Sequence, residues 1–266
     1  MARPQTGTGG WVCAGVYIGL VVISLSLLIL SPVLIVGRWL VLRRPWYDCG
    51  RWMVWFYGHL VMRWIGLLIP VRTEGLDKLL NCRPAVLVMN HLSAFDVFTL
   101  GLLPLHNVNI TLRSWPFRLF WFYPYMKLAQ YLDVERGGWQ ELLAAGKREK
   151  ARGEFILVYP EAHRSRNGRL QRFHIGPFQL AIELDLPVLA LCIQGTEGFL
   201  PPGSLRFRRA KLKLACLDPI TLTEEERREA VKDMRRLLRD RVKRAMIQYL
   251  EGKRDVGMDE KMKVQE

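Results

Sequence analysis

Five cysteines and five histidines are spread over 266 residues, yet the sequence has no Cys-x-x-Cys pair and no histidine at zinc-finger spacing. That excludes the common zinc modules, and no metal site or resident cofactor is expected. Cys13, Cys49, Cys82, Cys192 and Cys216 read as reduced, buried thiols, which fits a cytoplasm-facing domain. A Gly-x-Ser-x-Gly elbow is missing too, and with it the serine turn of the α/β-hydrolases. No internal repeat or low-complexity tract is visible. The last absence is local: from Trp11 to Gly37 there is no charged side chain.

That uncharged run exceeds the roughly 20 apolar residues that cross a bilayer core. The apolar part of a cleaved signal peptide is shorter, about 7 to 15 residues, so the run reads as a retained anchor that spans the membrane or re-enters it. A second apolar stretch, Trp46 to Pro70, carries Arg51, Trp55, His59 and Arg63 at intervals of four, along one helical face. Such a helix suits the lipid interface, with its charges toward headgroups; the alternative is a helix buried against the following domain. Arg38, Arg43, Arg44 and Arg51 follow the first run and only Arg3 precedes it, which puts the C-terminal side in the cytoplasm. The expected location is therefore a membrane, as for a bacterial inner-membrane protein, with residues 71–250 forming a domain on the cytoplasmic face and 251–266 a polar tail.

A net charge of +14 and a pI near 9.9 imply an anionic partner. Beside an apolar anchor, the surface of an anionic membrane is the expected one. No nucleic-acid-reading module is present, and no nucleic-acid partner is expected.

After Pro70, apolar runs alternate between strand-like and helical patterns. Strands are predicted at 85–89, 108–112, 131–134, 155–159, 187–193 and 211–216, and helices at 94–103, 116–129, 139–152, 176–184 and 224–250. Alternation of this kind predicts an α/β fold, a mixed sheet flanked by helices, preceded by an N-terminal hydrophobic two-helix membrane anchor. The last predicted helix is arginine-rich, with Val231, Met234, Leu238, Val242 and Met246 as an apolar stripe. It reads either as a solvated helix docked on the domain or as a membrane-facing cationic one.

Chemistry concentrates in Asn90-His91-Leu92-Ser93-Ala94-Phe95-Asp96, which follows the strand ending at Met89. A hydroxyl attacking an acyl thioester must lose its proton, and an imidazole whose tautomer a carboxylate fixes can take it. Because a thioester is already activated, no protein nucleophile is required. Ser93-x-x-Asp96 is also a capping box for the next helix, and both readings can hold together. Two further segments end strands with arginines before helices: Leu132-Asp133-Val134-Glu135-Arg136-Gly137-Gly138 and Tyr159-Pro160-Glu161-Ala162-His163-Arg164-Ser165. Arginines so placed suit a phosphate.

With these blocks in order, the sequence from about residue 80 to 195 resembles the glycerolipid acyltransferase family, which includes 1-acylglycerol-3-phosphate acyltransferases. The family's Asn-His-x4-Asp pattern is met by Asn90, His91 and Asp96, its arginine block by Arg136, its Phe-Pro-Glu-Gly-Thr-Arg-Ser block by Tyr159 to Ser165, and its proline-containing apolar block by Leu186-Pro187-Val188. The resemblance implies His91 as general base, Asp96 as its partner, and Arg136, Glu161 and Arg164 around the acceptor's glycerol phosphate. It implies acyl transfer from acyl-CoA or acyl carrier protein to the free hydroxyl of a lysophospholipid, 1-acyl-glycerol-3-phosphate giving phosphatidic acid. Ala162 and His163 replace the usual Gly-Thr, which leaves other acceptors open, such as a lyso-aminolipid. Two other classes stay in view: a serine esterase using Ser93, and a basic membrane adaptor without catalysis.

Overall fold

The computed structural model describes residues 10–165, 168–229 and 233–262; Arg3, Val231 and residues 263–266 of the expected tail lie outside them. In chain order the elements are α1 (Gly10–Leu42), α2 (Trp46–Leu68), β1 (Val71–Glu74), α3 (Lys78–Asn81), β2 (Val86–Met89), α4 (Asp96–Thr99), β3 (Val108–Leu112), α5 (Tyr123–Leu128), β4 (Leu132–Asp133), α6 (Gly138–Arg152), β5 (Phe155–Val158), α7 (Gly176–Glu183), β6 (Val188–Gln194), α8 (Thr196–Phe199), β7 (Leu212–Cys216), α9 (Glu224–Glu229) and α10 (Met234–Met262). Short 3-10 turns cover Leu100–Leu102 and Trp115–Arg118.

β2, β5 and β6 are almost wholly aliphatic, the composition of strands covered on both faces. They form the centre of a seven-stranded sheet of order β1-β7-β6-β2-β5-β3-β4. Every pair is parallel except β6 with β7, so the sheet is mixed, as expected. Side chains alternate between two cores. Leu87, Met89, Leu157, Leu189 and Leu191 join Leu100, Leu103 and Met126, with Val54 of α2 packed against them. Val86, Val88, Ile156, Val188, Ala190 and Cys192 join Phe178, Leu180, Leu238, Val242 and Met246 of α7 and α10. Thus α2 covers one face and α7 with α10 the other.

Both long predicted helices between β2 and β4 break up. The first is one α turn followed by a 3-10 turn; the second is interrupted at Leu119, whose ψ of 114° is extended. Pro116 and Pro124 deprive that segment of two amide donors. The segment β1 was not predicted: it is an edge strand, exposed along most of its length. α10 docks its stripe as a solvated helix would, with Leu238, Val242 and Met246 buried, and it continues past Gly252 to Met262.

α2 departs from the interfacial expectation. Arg51 is fully buried: Nη1 and Nη2 donate to Glu149 at 2.8 and 2.9 Å, Nη1 to Glu154 at 2.6 Å, and Nε to the Ala129 carbonyl at 2.9 Å. Trp55 Nε1 donates to the Leu103 carbonyl, and His59 Nδ1 lies 3.0 Å from that of Gly101. Of the four residues on that face only Arg63 is exposed. Two carboxylates and a carbonyl offer a guanidinium more than headgroups would, so the face turned inward. Gly101 permits the close approach, because a Cβ there would lie 2.1 Å from the Gly58 backbone.

α1 lies along α2. Trp64 Nε1 donates to the Gly15 carbonyl at one end, and Arg38 pairs with Asp48 at 2.9 Å at the other. Its outer face, including Ile18, Val22, Leu25, Ile29 and Val33, is exposed and apolar. Among the described residues it is the one helix long and apolar enough to cross a membrane.

Candidate active site

The site forms where β2 and β5 end side by side, so that the loops after Met89 and Val158 meet. Asn90 ties the first loop to the neighbouring strand: its Oδ1 accepts from Ile193 N at 2.8 Å and its Nδ2 donates to the Ile193 carbonyl at 3.0 Å. His91 is clamped from the other side. Its amide donates to Glu161 Oε1 at 3.0 Å, and its carbonyl accepts from Ser165 N at 2.7 Å. The side chain is 23% exposed, and its ring lies 4.6 Å from that of Tyr159.

Asp96 is fully buried and completely hydrogen-bonded. Oδ2 takes His91 Nδ1 at 2.8 Å, Leu92 N at 2.6 Å and Ser93 N at 2.9 Å, while Oδ1 takes the Thr196 hydroxyl at 2.6 Å. A carboxylate only accepts, so His91 Nδ1 must carry the proton and Nε2 presents a lone pair. An imidazole held in one tautomer in this way can accept a proton at Nε2. The capping box holds only in part: Ser93 Oγ accepts from Phe95 N at 3.2 Å and Asp96 reaches back to Ser93 N, but these bonds close the turn before α4, whose own cap position is Phe95.

Ser93 is no nucleophile. It is fully buried, and its hydroxyl donates to the Leu200 carbonyl at 2.7 Å.

Glu161 also differs from expectation. It is 3% exposed, and both oxygens are taken by backbone amides, His91 N and Gln171 N, the latter at 2.6 Å. Burial pushes its carboxyl above the usual range even against those two bonds. It therefore braces the His91 loop and offers no free oxygen to a substrate. Arg164 is exposed beside that brace, on the loop that clamps His91. Arg136 stands apart: it follows β4 at the far edge of the sheet, three strands from β2, its side chain 70% exposed and 3.7 Å from Asp133. His163 is exposed, and Ala162 adopts a left-handed φ of 58°, the conformation glycine would take most easily.

Thr196 escaped sequence reasoning. It stands 100 residues from Asp96, and a threonine after a strand carries no motif. Gly195, at φ 86°, turns the chain to deliver it, and a Cβ there would meet the Lys211 carbonyl oxygen at 2.0 Å.

The mixed sheet and its His-Asp pair at a strand-to-helix turn define an acyltransferase, and residues 70–194 match the family model described as Acyltransferase. The acyltransferase domain they form resembles those of glycerolipid acyltransferases. It is similar to the 1-acyl-sn-glycerol-3-phosphate acyltransferase of Limnanthes douglasii, 26% identical over 216 residues that cover 77% of this chain and 74% of that protein. A protein of the same description from Saccharomyces cerevisiae is 26% identical over 197 residues, covering 70% of this chain and 62% of that protein. The fold matches the crystal structure of the 1-acyl-sn-glycerophosphate acyltransferase PlsC from Thermotoga maritima, with a TM-score of 0.60, 20% identity, and 88% and 97% of the two chains covered.

Proposed function

We propose that this acyltransferase moves a fatty acyl group from a thioester, acyl-CoA or acyl carrier protein, to the free hydroxyl of 1-acyl-glycerol-3-phosphate, giving phosphatidic acid. The observation that carries the reading is His91 Nδ1 on Asp96 at 2.8 Å, with Nε2 unbonded among the described residues and the side chain 23% exposed. His91 Nε2 takes the acceptor hydroxyl's proton as its oxygen bonds the thioester carbonyl carbon. The tetrahedral adduct then expels the thiolate, and His91 returns the proton to it. Asp96 holds the tautomer and stabilises the imidazolium between the two steps. The acceptor for which the relatives are named supports the glycerol phosphate, and Arg164, exposed on the loop bound to His91, is the residue assigned to that phosphate. Arg136, at the sheet's far edge, is assigned an outer electrostatic role.

The outer face of α1 seats the enzyme in the cytoplasmic leaflet. Exposed Arg43 and Arg44 at the α1–α2 turn meet anionic headgroups there. No resident metal or cofactor is invoked, and no nucleic-acid partner.

His91→Ala and Asp96→Asn are the direct test, assayed with labelled acyl-CoA and lysophosphatidate. Both are expected to lower kcat by at least about a hundredfold, within the range of general-base contributions, with the fold retained. Full activity in both would sink the mechanism.

A further inference from the structure

On the sheet face opposite α1 and α2, a cavity of about 420 Å³ opens between α10 and the segment 172–175. Arg172, Arg235, Arg236 and Arg239 line it with His174, against the single carboxylate of Asp233. Asp233 pairs with Arg236 at 2.9 Å, and Arg239 reaches Asp240 through Nε. Arg172 makes no ion pair or hydrogen bond among the described residues. Phe173, buried and facing Phe178, supplies an apolar floor, with Lys243 at 5.5 Å from its ring. Asp233 and Asp240 thus engage two of the four guanidiniums, and among the described residues no carboxylate pairs with Arg172 or Arg235, which leaves their charge open to a ligand.

The cavity is wired to the active site. Gln171, one residue before it, donates to the Glu161 carboxylate that also receives the His91 amide, and His174 N donates to the Pro160 carbonyl at 2.8 Å. Residues 172–175 thus start beside the catalytic loop, and four residues of chain reach at most about 14 Å from Gln171. A ligand held here by its phosphates can present a flexible arm to His91.

We propose that this cavity binds the nucleotide phosphates of an acyl-coenzyme A donor. The inference rests on the thioester chemistry proposed above and chooses between its two carriers. Its volume is that of a small-molecule site, whereas a carrier protein docks on a broader, more open surface of roughly 800 Å² per partner. Lipid headgroups are disfavoured by position, since the apolar face of α1 is on the other side of the sheet. Guanidinium forks suit phosphate oxygens and stack on a purine ring.

Binding of adenosine 3′,5′-bisphosphate to the full chain in detergent, followed by calorimetry, tests this without turnover. Wild type is expected to bind it, and Arg172→Gln/Arg235→Gln to bind at least about tenfold more weakly, the loss of about 1.4 kcal/mol. In the acyl-transfer assay the same variant should raise KM for acyl-CoA by a similar factor, while its KM for an acyl-N-acetylcysteamine thioester, which has no phosphate, does not move. Absence of binding by wild type overturns the proposal, as does an unchanged KM for acyl-CoA. A variant that instead loses anionic-vesicle binding or raises KM for lysophosphatidate also overturns it, assigning the cavity to lipid. Nucleotide binding without turnover of any thioester would sink the acyl-transfer reading and leave the nucleotide site standing.

Discussion

Asp96 receives four donors, and the Thr196 hydroxyl is the one that comes from a distant segment. Valine at that position keeps the shape and leaves Oδ1 without a partner. Loss of a hydrogen bond to a charged acceptor costs about 1.5 to 3 kcal/mol, and if that loss falls on the transition state it lowers the rate by about tenfold or more. Thr196→Val should therefore lower both melting temperature and kcat, and Thr196→Ser should restore both; a valine variant with wild-type kcat would remove Thr196 from the positioning set. Ala162 presents the opposite case. Its left-handed φ costs an L-residue about 1 to 2 kcal/mol, and glycine's added freedom in the unfolded chain returns about 0.4 to 1 kcal/mol of that. Ala162→Gly should thus stabilise the protein by roughly 0.5 kcal/mol or slightly more in urea unfolding. His91 and Asp96 were legible because their partnership is local. Thr196 and the ring contact of Tyr159 were not, since each depends on which strands end side by side.

Among elements, α2 decides how the apolar hairpin is held. Asp48, in its first turn, joins α1 to the domain by accepting from Arg38 and lying 2.9 Å from His106 Nε2. Burial pushes its carboxyl up, but the hydrogen bonds from His106 and Arg38 outweigh that and set it at about 2, against an ordinary 3.8. The folded value lies below the unfolded one, so this clasp contributes fully above pH 3.8 and is lost as pH falls toward about 2. Between those values the melting temperature of wild type should fall more steeply than that of Asp48→Asn; parallel slopes would show that the clasp contributes nothing. The central strands were readable from composition alone. α2 was misread because its arginine spacing fits either a headgroup row or a buried ion pair, and the choice lies with Glu149 and Glu154, about a hundred residues on. β1 was missed because an exposed edge strand has no apolar alternation to detect.

At the scale of the whole molecule, the two sheet faces divide the work: α1 presents hydrocarbon on one side, and the arginines of α10 meet solvent on the other. The +14 charge is an excess that the chain's own acids leave unmatched, and the arginines of α10 carry part of it on the side away from α1. Arg227 of α9 pairs with Asp185, Arg236 with the nearby Asp233, and Arg241 of α10 with Glu226 of α9, so these arginines tie α9 and α10 locally. Membrane affinity should then rest chiefly on the outer face of α1, where Ile29 and Val33 are 76% and 71% exposed. Burying each in lipid contributes about 1.5 to 3 kcal/mol, and a lysine forfeits that while adding a charge to desolvate. Ile29→Lys/Val33→Lys should therefore reduce co-flotation with anionic vesicles by at least about tenfold, and turnover of vesicle-embedded acceptor should fall with it. Flotation equal to wild type would mean that the electrostatic surface, not α1, holds the enzyme at the bilayer.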